Sequence, residues 1–64
     1  MLYYIYIMQY EIRYYFDQEC LKTKRVCFRE VLEGKSKSDA ESVADQRLAR
    51  SAFGFTCYEI LELI

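Results

Sequence analysis

The 64-residue chain has no histidine and no proline, only two glycines and three cysteines. Each shortage removes a class of chemistry. Without histidine the commonest general base is missing, and neither a cysteine–histidine pair nor a mixed cysteine–histidine metal site can form. With Gly34 and Gly54 as the only glycines, there is no glycine-rich phosphate cradle and no Gly-x-Ser-x-Gly nucleophile turn. Cys20, Cys27 and Cys57 are odd in number, at spacings that match no zinc or iron–sulfur pattern. Cys27 and Cys57 read as small core residues in a reducing compartment, and Cys20 as an exposed turn residue open to oxidation. The acidic residues stand at no telling spacing, and Glu59 and Glu62 fall on opposite faces of one strand. The expectation is a protein that is not an enzyme and carries no cofactor and no metal.

Charge of one sign is lacking too. Nine basic residues face ten acidic ones, for a net charge of −1. That balance supplies no long-range attraction to nucleic acid or to an anionic membrane. The apolar run Met1 to Met8 is too short to span a bilayer and lacks the basic start and small-residue cleavage site of a secretory signal. No membrane partner and a cytoplasmic location are therefore expected. The length allows one domain, residues 1–64. A chain this small buries only about 60% of the surface its unfolded form exposes, so help from a partner subunit would matter.

What the chain has in abundance is apolar and aromatic surface, 53% and 17% of residues. The segment LYYIYIMQYEIRYYF, Leu2 to Phe16, carries six of the seven tyrosines. Its even positions, Leu2 through Phe16, are all apolar or aromatic. Its odd positions are apolar up to Ile7, then Gln9, Glu11 and Arg13, then Tyr15. This period of two predicts a strand, β-branched and aromatic, covered on both faces at its start and half-buried later. Asp17 to Cys20 predict a hairpin turn, and a second strand follows over about Leu21 to Leu32. Its alternation slips near Arg29 and Glu30, where a bulge or strand end is expected.

Ser38-Asp39-Ala40-Glu41 has the spacing of a capping box, and Ala40, Val43, Ala44, Leu48 and Ala52 recur at helical spacing. A helix over roughly Asp39 to Ser51 is predicted, with acidic residues first, Arg47 and Arg50 last, and Gly54 as its stop. Phe55 to Ile64 predict a third strand. The order is β-β-α-β, and a helical crossover makes the second and third strands parallel to each other. The fold class is α+β, a three-stranded antiparallel sheet of order 2-1-3 with one helix on one face. The most hydrophobic strand takes the centre.

One helix roofs one face. Its alanine-rich stripe suits the tyrosine-rich even side of the first strand, which leaves Tyr3, Ile5, Ile7 and Tyr15, with Cys57, Leu61 and Leu63, on the other. Apolar patches beyond a few hundred Å² mark contact sites. Fifteen extended residues would also reach roughly 50 Å, against a diameter of about 28 Å for a compact chain of this size. The first strand must bend, break near Gln9 or project, and a projecting strand offers open backbone edges. Tyrosine suits such a surface, being rigid and tolerant of water. A protein partner of unspecified identity and a homodimer are expected, with Tyr3, Ile5, Ile7, Arg13, Tyr15, Lys22, Lys24 and Arg25 as the partner-binding residues. The cluster Lys22-Thr23-Lys24-Arg25 reads as a basic rim along a sheet edge. The alternative is a single-stranded nucleic-acid-binding protein that uses the sheet face and this rim, although no aromatic RNA-binding motif is present.

In layout and size, though in no residue motif, the chain resembles small phage-encoded inhibitors, anti-CRISPR proteins among them, which set one helix on a short antiparallel sheet. That resemblance implies an inhibitor or adaptor of a phage or other mobile element.

Overall fold

Alternation over Met8 to Tyr15 does produce the central strand. The structure, a computed structural model, describes residues 8–50 and 53–63. Five elements follow one another: β1 (Met8–Tyr15), α1 (Gln18–Lys22), β2 (Phe28–Gly34), α2 (Lys37–Arg50) and β3 (Cys57–Glu62). The sheet is antiparallel throughout, in the order β2-β1-β3. This is the small α+β architecture that the sequence predicts. The predicted extension of β1 back to Leu2 lies outside the described residues.

The core forms where β1 meets α2. Tyr10, Ile12 and Tyr14 point to one side and are buried against Ala40 and Ala44, with Met8, Leu32, Val43, Leu48, Phe55, Tyr58 and Ile60 around them. Alanines on the helix let its backbone approach three bulky side chains without overpacking. Burial of Ile12, which is fully enclosed, contributes roughly 2–3 kcal/mol. The phenol tips are tied down at the rim. Tyr14 Oη donates to Glu30 Oε2 at 3.0 Å, and the same oxygen lies 3.3 Å from Arg47 Nε, which links β1, β2 and α2. Tyr58 Oη donates to Asp45 Oδ1 at 3.0 Å and fastens β3 to the helix.

Three local expectations are corrected. Asp17 to Cys20 do not make a hairpin turn but start α1: Asp17 is its N-cap, with Oδ1 accepting from the Cys20 amide at 2.8 Å. At its other end the Lys24 amide donates to the Leu21 carbonyl and the Arg25 amide to the Cys20 carbonyl, a Schellman closure. Lys24 takes the left-handed position, φ 58°, that glycine usually fills. Because Leu21 and Lys22 are spent on this helix, β2 begins only at Phe28. Second, β2 has no bulge. Its register runs unbroken from Tyr14↔Phe28 to Met8↔Gly34. Glu30 faces inward because the Tyr14 phenol needs an acceptor, and Val31 faces out. Third, α2 starts at Lys37 rather than Asp39. Ser36 caps it, accepting from the Asp39 amide through its carbonyl, while Asp39 Oδ2 reaches back to the Lys35 amide at 2.8 Å. Gly54, φ 79°, follows in the left-handed region, where a side chain would be strained.

The alanine stripe makes a direct prediction. Ala44→Leu should destabilise the fold by about 1–3 kcal/mol through overpacking, whereas Ala49→Leu, at an exposed position, should stay within about 0.5 kcal/mol. Urea midpoints at constant slope measure both.

Candidate functional site

All four phenylalanines of the chain meet at one end of the sheet. Phe16 follows β1, Phe28 opens β2 and Phe55 precedes β3. In an antiparallel 2-1-3 sheet these three points coincide. Main-chain bonds hold them there: Cys27 N–H to the Tyr14 carbonyl at 2.9 Å and Thr56 N–H to the Tyr15 carbonyl at 3.1 Å. Thr56 Oγ1 adds a bond to the Phe16 carbonyl at 2.7 Å. Phe55 is the hub, with ring centroids 5.5 Å from Tyr14 and from Phe16, 5.9 Å from Phe53 and 6.3 Å from Phe28. These are ordinary aromatic pairing distances.

The rings floor an open groove of about 940 Å³, walled on the helix side by Val43, Gln46, Arg47 and Arg50. Phe16, Phe28 and Phe53 stay 49%, 51% and 75% exposed despite their mutual contacts. Large apolar side chains scattered singly are unremarkable, but a contiguous cluster is not. Two guanidinium groups stand on its border: Arg47, held 3.3 Å from Glu30, and Arg50. The lining also holds the Tyr14–Glu30 pair and Cys27, whose thiol bonds the Arg25 carbonyl. Among the described residues no three acidic or cysteine side chains come together as a metal site.

The other face of the sheet is built differently. Along β1 it shows Gln9, Glu11, Arg13 and Tyr15, paired across to β3 through Glu11↔Leu61, Arg13↔Glu59 and Tyr15↔Cys57. α1 closes the Tyr15 end. Tyr15 is fully buried, and its phenol donates to Glu59 Oε1 at 3.0 Å while Lys24 Nζ holds Glu59 Oε2 at 2.6 Å. Arg13 pairs with Glu11 on the same face. Over the described residues this face combines a charged network and one enclosed ring with the apolar side chains of Val31, Leu61 and Leu63, of which Val31 and Leu63 are exposed.

Of the partner-binding residues named from the sequence, Arg13, Tyr15 and Lys24 come together around Glu59. Tyr3, Ile5 and Ile7 lie outside the described residues. Tyr15 is interior, and Arg13 is half-buried and engaged by Glu11. Lys22, Lys24 and Arg25 belong to α1 and its closing turn, not to a strand edge, and none of them lines the groove. Cys27, expected in the core, is exposed just before β2, while Cys20 and Cys57 are half-buried; all three are free thiols. The bond with Asp17 and burial push the Cys20 thiol above its ordinary value, away from the reactive thiolate. Sequence reasoning passed over the phenylalanines. Their positions at the end of β1 and at the starts of β2 and β3, once strand order is known, were the available signal.

No protein-family model, no curated protein and no solved structure matches this chain. Among the described residues no helix is long and apolar enough to cross a membrane.

The buried phenols set the pH response. Burial first, then the carboxylate that each one bonds, raises Tyr14 and Tyr15 above the usual phenol range. The unfolded chain releases those protons near pH 10. Stability is thus fully present below about pH 10 and is lost as pH climbs through the raised folded values. Glu59 behaves oppositely: Lys24 holds it below the usual carboxylate range, so its contribution is present above the ordinary glutamate value and is lost as pH falls through the lowered one. Circular dichroism against pH should show Tyr14→Phe flattening the alkaline limb and Lys24→Gln flattening the acid limb.

Proposed function

We propose that the protein is a non-enzymatic binding module that acts by occupying a partner protein, and that the phenylalanine groove is its contact. The observation that carries this reading is the contiguous exposure of Phe16, Phe28 and Phe53 around Phe55. The occupant is an apolar segment with an acidic residue beside it. The rings supply a desolvated floor and Arg50, on the open border, supplies the charge that a carboxylate complements. A small inhibitor or adaptor of a phage or mobile element, which blocks its target by occupation and performs no chemistry, fits this mode of action.

A second reading draws on the ring geometry. Phe28 and Phe55 lie within 12° of parallel and Phe53 and Phe55 within 26°, and stacked rings beside arginines also suit unpaired bases. The groove's arginines, not Lys22, Lys24 and Arg25, would then contact the phosphates. The overall charge of −1 favours the protein partner.

The test immobilises the full chain, captures binders from its native source, and repeats the measurement with the purified binder. Phe53→Ser or Phe16→Ser should each weaken that complex by about 2 kcal/mol, roughly thirtyfold. Oligothymidylate is titrated in parallel. Tight oligonucleotide binding that collapses with salt and with Arg50→Glu would transfer the groove to the second reading. Complexes of either kind that ignore all three substitutions would remove the groove from function.

A further inference from the structure

The outer edge of β2 is self-complementary, and we infer that two copies of the chain join there as a symmetric antiparallel dimer. Hydrogen-bond direction decides which groups lie on that edge. The Gln9 carbonyl accepts from the Leu63 amide at 2.8 Å, so the odd residues of β1 turn their backbone groups toward β3. In an antiparallel sheet those directions alternate, so the even residues of β1 serve β2. Through the register Tyr10↔Leu32, Ile12↔Glu30 and Tyr14↔Phe28, the even residues of β2 are used up on β1. Arg29, Val31 and Glu33 turn their N–H and C=O groups outward along the edge.

Centre a second β2 on Val31 and run it the other way. Val31 then faces Val31 of the second copy, Arg29 faces Glu33, and Glu33 faces Arg29. All three positions are those whose backbone groups have no partner among the described residues, so the match of backbone and side chains occurs in one and the same register. That register forms a ladder of about six main-chain hydrogen bonds. It also places two opposite-charge pairs around an apolar pair on one face, the combination that stabilises neighbouring strands. Val31 is 57% exposed and Arg29 and Glu33 are both exposed. Neither charged residue has an ion-pair partner among the described residues. On the other face the same register sets Phe28 opposite Gly34, where the Asp39 side chain fills the space beside the glycine, and Glu30 opposite Leu32.

Charges on an edge strand often serve only to blunt it. Here their spacing about Val31 makes a repulsive edge into one that accepts its own copy and little else. The β3 edge lacks this property: centred on Ile60, its outward-bonding positions would set Glu62 against Tyr58, with no opposite charges to pair. A two-fold interface of this kind is isologous and closes on itself, so it stops at two copies. It is separate from the phenylalanine groove, sharing Phe28 and Glu30 with its lining among the described residues, and does not depend on the groove's role.

The experiment is charge reversal on the full chain, read by sedimentation equilibrium across the micromolar to millimolar range. The wild type should dimerise. Arg29→Glu and Glu33→Arg should each weaken dimerisation about tenfold or more, since like charges then face each other twice. The two single variants mixed together should form a heterodimer, and the double variant R29E/E33R should recover wild-type affinity. Neither substitution touches the core, and circular dichroism will show each variant folded. Amide hydrogen exchange supplies the second readout: Arg29, Val31 and Glu33 should slow with rising concentration. A wild type that stays monomeric, a dimer unmoved by single reversals, a mixture that fails to pair, or outer amides that exchange equally fast at all concentrations would each overturn the inference.

Discussion

The fold depends on the fit between three bulky side chains and two methyl groups. Tyr10, Ile12 and Tyr14 stand on the same side of the central strand, and Ala40 and Ala44 are what covers them. A helix with larger residues there would ride higher and leave the rings partly wet. A helix so close, in turn, must accommodate phenol hydroxyls at its margins. That is why carboxylates stand at its margins, where Glu30 takes Tyr14 and Asp45 takes Tyr58; on the other face Glu59 takes Tyr15. Among the described residues no buried side-chain polar atom lacks a partner. The tyrosines of β1 in the described region are thus structural rings, those of Tyr14 and Tyr15 with hydrogen-bonded tips, and the surface-forming aromatic is phenylalanine.

The same closeness explains the groove. The buried stripe of α2 consists of Ala40 and Ala44, with Val43 and Leu48 packed against the core. Toward the C-terminal end of α2 the helix turns Val43, Gln46, Arg47 and Arg50 to the gap above the strand ends. The rings of Phe16, Phe28 and Phe55 emerge there because the chain enters or leaves each strand at that point. An apolar cluster without a roof is a consequence of strand order as much as of composition.

Much of this architecture was legible beforehand. Period-two alternation marked β1, the alanine and valine spacing marked α2, and the crossover rule with the hydrophobicity of β1 set the order 2-1-3. What escaped has physical reasons. α1 is five residues long, too short for any helical period, and it was announced only by Asp17 as a cap. Glu30 broke the pattern of β2 because an interior phenol needed an acceptor, so the apparent slip was a hydrogen bond. Of the expected apolar second face, Tyr3, Ile5 and Ile7 lie outside the described residues, and Tyr15, expected at the surface, is enclosed by α1, Lys24 and Glu59. The site was hardest to see, since no single segment contains it and each phenylalanine looks ordinary in its own neighbourhood.

The sheet order also governs when the fold can form. β1 is central yet precedes both its neighbours in the chain, and its Tyr15 phenol bonds a residue 44 positions later. During synthesis β1 leaves the ribosome first and can pair with β2 early, but its other edge and the Tyr15 ring wait for β3. Contacts so distant in sequence slow folding, and an uncovered aromatic strand in the meantime invites misassociation. A nascent chain of this protein is therefore most exposed to chaperones, and to its own neighbours on a polysome, in the interval before β3 emerges.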